Sequence, residues 1–255
     1  MSVREIRKLM GIGGVMAMLA GTSVSQTVLY DGAIDASVGD RGWLPLGDPF
    51  FGHAGSLTPI TGGTRFDSST NISDKFGLFS TIPSIGGGME TLDLDADTGF
   101  RLTFDLAIVS ESHNRDERGG FSVIVVTNDT SRALEIAFQE DRLFAYESGS
   151  TFPVGDVVAR DTSVRTEYAL DVLGSSYTLS ADSEIILVGD LRDYRDFSGS
   201  PDPYEEPGFL FFGDDTSSAS STADIFSITL GSIPAPTSAW LPGAMCLLLA
   251  RRRLD

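Results

Sequence analysis

The densest run of side chains able to do chemistry reads ESHNRDER, from Glu111 to Arg118, inside a polar stretch that spans Ser110 to Gly120. Glu111, His113, Asn114 and Asp116 offer oxygen and nitrogen atoms suited to a metal ion or to hydrogen bonds with a sugar, and Arg115 and Arg118 can pair the neighbouring acids. The same charges also read as the salt-bridged tip of a hairpin, because surface charge clusters are usually only solvated. Catalysis by His113 has no support, since no serine stands in a nucleophile elbow. A second cluster is Asp214-Asp215 followed by Thr216, Ser217 and Ser218. Adjacent carboxylates and hydroxyls at a strand end suit Ca²⁺, and they equally suit a turn closed by Asx and Ser bonds.

Two further groups carry weaker signals. Asp93, Asp95 and Asp97 resemble a calcium loop in spacing, but Thr98 stands where glycine is needed and Phe104 where the bidentate glutamate belongs. Read as the start of a strand, Asp93 and Asp95 share a face with Glu90 out of phase, and the E-x-D-x-x-E pattern of jelly-roll glycoside hydrolases is absent. Trp43, Tyr194, Phe197 and Tyr204 are candidate sugar-stacking rings, or rings that close the ends of a sandwich.

The elements that must position these groups are short strands. Phe100, Leu102, Phe104, Leu106 and Ile108 alternate with Arg101, Thr103 and Asp105, the period-2 signature of a half-buried strand, and Phe121–Val126 is almost wholly apolar, as where both faces are covered. The two segments are expected to pair at the centre of a β-sandwich. Further strands are predicted at 27–30, 64–69, 133–138, 142–147, 166–173, 177–181, 184–188, 209–212 and 224–230, with tight hairpin turns at Gln139–Asp141 and Asp182-Ser183. The stretch 40–63 reads as a long loop, 70–89 as irregular, and TSSASST at 216–222 as a loop. No sustained 3.6 period appears, so the expected fold is an all-β sandwich or jelly roll.

Composition narrows the function classes. The formal charge is −18 although both ends are basic, and such an acidic body repels phosphate backbones and argues against nucleic acid. The one cysteine, Cys246, lies in the apolar tail, so the body has no disulfide and no thiol-based metal site or catalysis.

Both ends read as processing segments. Residues 1–25 combine a basic start (Arg4, Arg7, Lys8), an apolar run and small residues at Ser23 and Ser25, the pattern of a secretory signal peptide. Residues 233–255 hold Pro234-Ala235-Pro236, an apolar run shorter than the roughly 20 residues of a comfortable span, and the triplet Arg251, Arg252, Arg253, placed to stay on the cytoplasmic side. This tail resembles the C-terminal sorting signals of exosortase substrates, the PEP-CTERM type, although the glutamate between the prolines is replaced by alanine. The body, through TVLYDGA, ESHNRDERGGFSVIV, LRDYRDFSGSPDPYEEPGFLFFGDDTSSA and ITLGSI, looks like the Y-type choice-of-anchor domain of exported bacterial proteins. That resemblance spans nearly all of 27–233 and implies a surface domain similar to concanavalin A-like jelly rolls, flanked by the signal peptide and a short apolar C-terminal helix.

The resulting expectation is a domain at 26–232 that is exported, anchored at the bacterial surface through a membrane or sorting-transpeptidase partner, and non-catalytic. It would bind extracellular polysaccharide or calcium, or build matrix. A carbohydrate-active hydrolase on the same fold and a purely structural matrix protein are the alternatives.

Overall fold

Alternation along Phe100–His113 decides the architecture: Phe100, Leu102, Phe104, Leu106 and Ile108 are buried on one face, while Arg101 and Asp105 face outward. The outward charges are matched across the sheet, by Asp171 to Arg101 at 2.6 Å and by Arg165 to Asp105 at 2.6 Å. The computed structural model describes residues 26–47, 55–82, 87–199 and 202–233. Within them run β1 (Gln26–Asp31), β2 (Leu44–Gly47), β3 (Ser56–Ile60), β4 (Gly63–Asp67), β5 (Phe76–Phe79), β6 (Phe100–His113), β7 (Phe121–Val126), β8 (Ala133–Phe138), β9 (Arg142–Tyr146), β10 (Val154–Ala159), β11 (Thr166–Leu173), β12 (Ser176–Ala181), β13 (Glu184–Asp190), β14 (Phe209–Asp214) and β15 (Ala219–Gly231).

These strands form two antiparallel sheets packed as a sandwich, in the orders β13-β12-β11-β6-β15-β4-β3, with β1 also on β15, and β10-β9-β8-β7-β14-β5-β2. The inner faces meet in a core of aromatic and branched residues in which Phe104 stacks on Tyr168 at 5.4 Å and meets Phe212 edge-on at 5.5 Å. Gln26 lies opposite Gly231, so the two ends of the described chain come together where β1 pairs with β15. The all-β expectation holds, and both predicted hairpins form as β8–β9 and β12–β13. Asp182 and Ser183 turn the second with φ of 50° and 71°, the left-handed pair that a two-residue hairpin needs.

Several expectations need correction. Strands β6 and β7 do not pair: β6 lies between β11 and β15, β7 lies between β14 and β8 in the other sheet, and the segment between them crosses the end of the sandwich. Alternation marks which face is buried, not which sheet a strand joins. The polar stretch shortens as well, because β6 runs on through a bulge to His113 against Ala219 of β15. The supposed loop at 216–222 becomes strand from Ala219, where Ser221 is buried and its hydroxyl donates to the Gly120 carbonyl at 2.6 Å. Small residues there let chain segments approach closely, which a reading based on large apolar side chains overlooks. Strands β2, β3 and β5 lie in stretches read as loop or irregular, and β10 falls in one with no strand expected.

Residues 93–95 are irregular and 96–98 form a turn, so none of this stretch is strand. Asp95 caps the Asp97 amide at 2.9 Å and Asp93 accepts from Asn128 at 2.8 Å, so the shared-face argument for Asp93 and Asp95 lapses. The signal segment 1–25, His53, Pro234, Pro236 and Arg251 to Arg253 lie outside the described residues. No helix among the described residues is long and apolar enough to cross a membrane.

Candidate functional site

Strands β7, β8 and β14 are buried on both faces, and the reason lies outside the sandwich interior. Ile124, Phe144, Tyr146, Phe209 and Phe211 point outward from the second sheet and are covered by residues 191–199 and 202–208, a strap, and by the β9–β10 turn. This strap is pinned by a reciprocal backbone pair between Arg192 and Ala133 at 2.8 Å and by Gly208 donating to the Thr127 carbonyl at 3.1 Å. Its rings pack over the sheet: Tyr194 stacks on Tyr204 at 4.9 Å, and Phe197 meets Tyr204 edge-on at 5.6 Å. Phe152, in the β9–β10 turn, takes a left-handed φ of 50°, an uncommon and costly backbone for a bulky residue. Arg118 holds it there, donating to the Phe152 and Thr151 carbonyls at 3.0 and 3.2 Å.

Between strap, turn and the β14–β15 connection the outer face leaves a pocket of about 370 Å³. Its walls are Phe79, Phe211, Tyr146, Phe152, Phe197 and Tyr204, and its rim carries Lys75, Arg115, Arg118 and Thr216 to Ser218. At its floor stand three carboxyl groups. Glu135, on the outer face of β8, is 1% exposed; it accepts from Ser122 at 2.9 Å and from the Tyr204 hydroxyl. Burial, then the neighbouring Asp215 carboxylate, pushes the Glu135 acid well up, and burial likewise raises Asp215, to which Glu135 is hydrogen-bonded. Two such acids sharing one hydrogen bond hold one proton between them. Asp214, 1% exposed, accepts from Ser68 at 2.7 Å and from the Thr216 amide at 3.1 Å, and burial raises it too.

The two clusters singled out in the sequence meet at this rim. Arg118 and Arg115 line the pocket from one side and Asp214 to Ser218 from the other, and the connections touch where the Asn114 amide donates to the Ser218 carbonyl at 2.9 Å. The remaining members of the first cluster have other tasks. Glu111 is tucked inward, taking the His113 imidazole Nδ1 at 2.9 Å and the Gly120 amide at 3.2 Å, and burial raises its acid. Asp116 holds Gln139 and Arg142 through its backbone carbonyl while its side chain is exposed, as is that of Asn114. Arg115 pairs with Glu117, the salt bridge expected of a charged tip.

Among the rings, Phe197 and Tyr204 line the pocket as sugar-stacking candidates must. Trp43 does not: it is a core residue, edge-on to Phe212 at 5.6 Å with its indole N–H on the Leu29 carbonyl at 2.9 Å. Tyr194 is buried beneath the strap and donates to the Tyr146 carbonyl at 2.6 Å. Sequence reasoning passed over the charged pocket residues Glu135 and Lys75 and the rings Phe79, Tyr146, Phe152 and Phe211. A lone glutamate in the otherwise apolar ALEIAF was the available signal, since an acid inside an apolar strand demands partners.

Asp214 and Asp215 do not turn their oxygens jointly to a cation. Both Asp214 oxygens already accept bonds, Asp215 is engaged with Glu135, and among the described residues no group of three His, Cys, Asp or Glu side chains is placed to hold a metal ion.

No family model and no curated protein matches the sequence. Among solved structures the chain is similar to a conserved carbohydrate esterase of the Shiga toxin-encoding bacteriophage phi24B, at 12% identity over 82% of this chain and 99% of that one, with a TM-score of 0.56. It is also similar to the Ca²⁺-bound exoplasmic/lumenal domain of VIP36, at 11% identity, 84% and 93% coverage and a TM-score of 0.48. The carbohydrate-binding module CBM66 of Bacillus subtilis aligns at 12% identity, 75% and 96% coverage and a TM-score of 0.38. At such identities the likeness is one of fold alone, an all-β jelly-roll sandwich.

Proposed function

We propose that the chain is an exported, surface-anchored, non-catalytic module that binds carbohydrate in the pocket on the outer face of the second sheet. The observation that carries this reading is the pocket itself. Flat aromatic walls suit the apolar face of a sugar ring, and hydroxyls, cations and carboxyls at the rim and floor suit its polar edge. Extracellular polysaccharide is the corresponding partner, and export and anchoring rest on the terminal segments and their resemblance to sorting signals.

Catalysis is disfavoured by how the floor acids are used. Glycoside hydrolysis places two carboxyls on either side of the scissile bond, at least about 5 Å apart. Glu135 and Asp215 instead bond to each other, and the Glu135 oxygens are held by Ser122 and Tyr204. The hydrolase reading keeps one favourable feature, two buried acids of raised pKa; hydrolysis of glycoside or acetyl-ester probes that disappears in Glu135→Gln would establish it. Calcium at Asp214 and Asp215 would have to displace the Ser68, Thr216 and Glu135 contacts that now engage them. A melting temperature that rises with millimolar Ca²⁺ and falls with chelator would support that role.

The test is a glycan array probed with the full-length protein and with Phe152→Ala. Binding to a restricted set of glycans, lost in the variant, is the expected result. Failure to bind any glycan removes the reading in favour of a structural matrix protein, and recovery of the native protein in the cytoplasmic fraction removes export and anchoring.

A further inference from the structure

We infer that the sugar held in this pocket is an acidic one, carrying its carboxylate or sulfate against Lys75 and Arg118; the inference rests on the carbohydrate-binding reading of the same pocket. It starts from how the chain spends its cations. Nine arginines among the described residues pair with a carboxylate, as Arg65 with Asp224 at 2.7 Å and Arg132 with Asp97 at 2.6 Å. Among the described cations Lys75, Arg118 and Arg142 form no such pair. Arg142 is satisfied by the Gln139 side-chain oxygen at 2.6 Å and the Asp116 carbonyl, away from the pocket. The other two both line the pocket, and Lys75 is the one lysine between Gln26 and Ile233.

In a chain of charge −18, two unpaired cations facing one cavity need an account. Arg118 is fixed by neutral acceptors only, the carbonyls of Glu117, Thr151 and Phe152, and lies over the Tyr146 and Phe152 rings at 5.6 and 5.7 Å. Its position is therefore set before any ligand arrives, while no carboxylate among the described residues forms an ion pair with it. Lys75 makes no hydrogen bond or ion pair among the described residues, and its ammonium sits on a flexible stem able to follow an incoming group.

The floor acids are the obvious competitors for both cations, and they compete poorly. Lys75 favours ionisation of Asp214 and Asp215 and Arg118 that of Asp215, yet burial outweighs them and keeps both acids raised; Glu135 shares a proton with Asp215. The floor is thus less negative than three carboxyls suggest, and the rim keeps its positive charge. An oxyanion of the ligand completes that rim, with the sugar ring on the aromatic wall beside it. Carboxylate and sulfate share this chemistry, so the probes must tell them apart.

Full-length protein in mild detergent is titrated calorimetrically with oligogalacturonate, its fully methyl-esterified form, a sulfated galactan oligosaccharide and a panel of neutral oligosaccharides. One acidic probe is expected to bind, weakening as salt rises, with Lys75→Met costing at least about tenfold in affinity and Lys75→Arg retaining most of it. Whichever acidic probe binds identifies the oxyanion. Binding of neutral probes as tight as that of acidic ones, or indifference to Lys75→Met, overturns the acidic-sugar inference and leaves the carbohydrate reading standing. Absence of binding by every probe, acidic and neutral, overturns both.

Discussion

Glu135 shows how a single residue links the fold to the site. A carboxyl buried in an apolar strand costs several kcal/mol unless it is bonded or neutral, and here it is both, through Ser122, Tyr204 and the proton shared with Asp215. Its folded-state acid is raised above the ordinary carboxyl value, so the native state binds the extra proton between that value and the raised one. Stability from this group is therefore full at low pH and is lost as pH climbs through that window. Glu135→Gln carries a permanent amide hydrogen in place of the shared proton. Thermal melts from pH 4 to pH 8 should show the variant gaining on the native protein as pH rises, by roughly 1 to 3 kcal/mol at the upper end. A constant difference across the range would mean that no proton is shared. Nothing in the residue types of ALEIAF says that Glu135 faces Asp215, since that pairing exists only once the end of β14 is brought beside β8 by way of β7.

At the scale of elements, the sequence was most legible where the pattern was local. The alternation of β6, the continuous apolar run of β7 and the two hairpin turns follow from nearest-neighbour rules and appear as expected. What stayed hidden is long-range. Strands β2 and β5 are short and pair only with distant segments, β3 forms a local hairpin with β4 but carries Pro59 and little alternation, and the small residues opening β15 give no amphipathic signal. The site divided along the same line: its charged rim at Arg115, Arg118, Asp214 and Asp215 could be read from clusters, whereas the aromatic walls are contributed by five separate segments. Local rules also predict their own improvement. Ser183 pays for a left-handed φ of 71° in the β12–β13 turn, where glycine is at home. Ser183→Gly should stabilise the domain by up to about 1 kcal/mol in urea unfolding, with an unchanged m-value. A loss of stability would show that the serine hydroxyl, not the backbone, governs that turn.

Across the whole molecule, the sandwich core and the outer aromatic layer share strands but not side chains. Phe104, Phe138 and Phe212 face inward, while Phe211, Tyr146 and Tyr204 face the pocket, so β7, β8, β9 and β14 have one layer on each side. A chain held without disulfides in its described body depends on the inner layer for global stability and on the outer one for recognition. Phe104→Ala empties a position packed against Phe138, Tyr168 and Phe212, and should cost about 3 to 5 kcal/mol. At about 2 to 4 °C per kcal/mol for a domain of this size, the melting temperature should drop by roughly 6 to 20 °C. Glycan affinity at 25 °C should be unchanged, because the six aromatic walls belong to the outer layer and the one inner-layer ring in the pocket lining, Phe76, stacks on Phe66 rather than on Phe104. Phe152→Ala should do the reverse, removing a wall of the pocket while costing less stability than the core substitution. If Phe104→Ala instead weakened binding as strongly as Phe152→Ala, the shared strands would be transmitting inner packing to the outer face, and core and site would have to be treated as one unit.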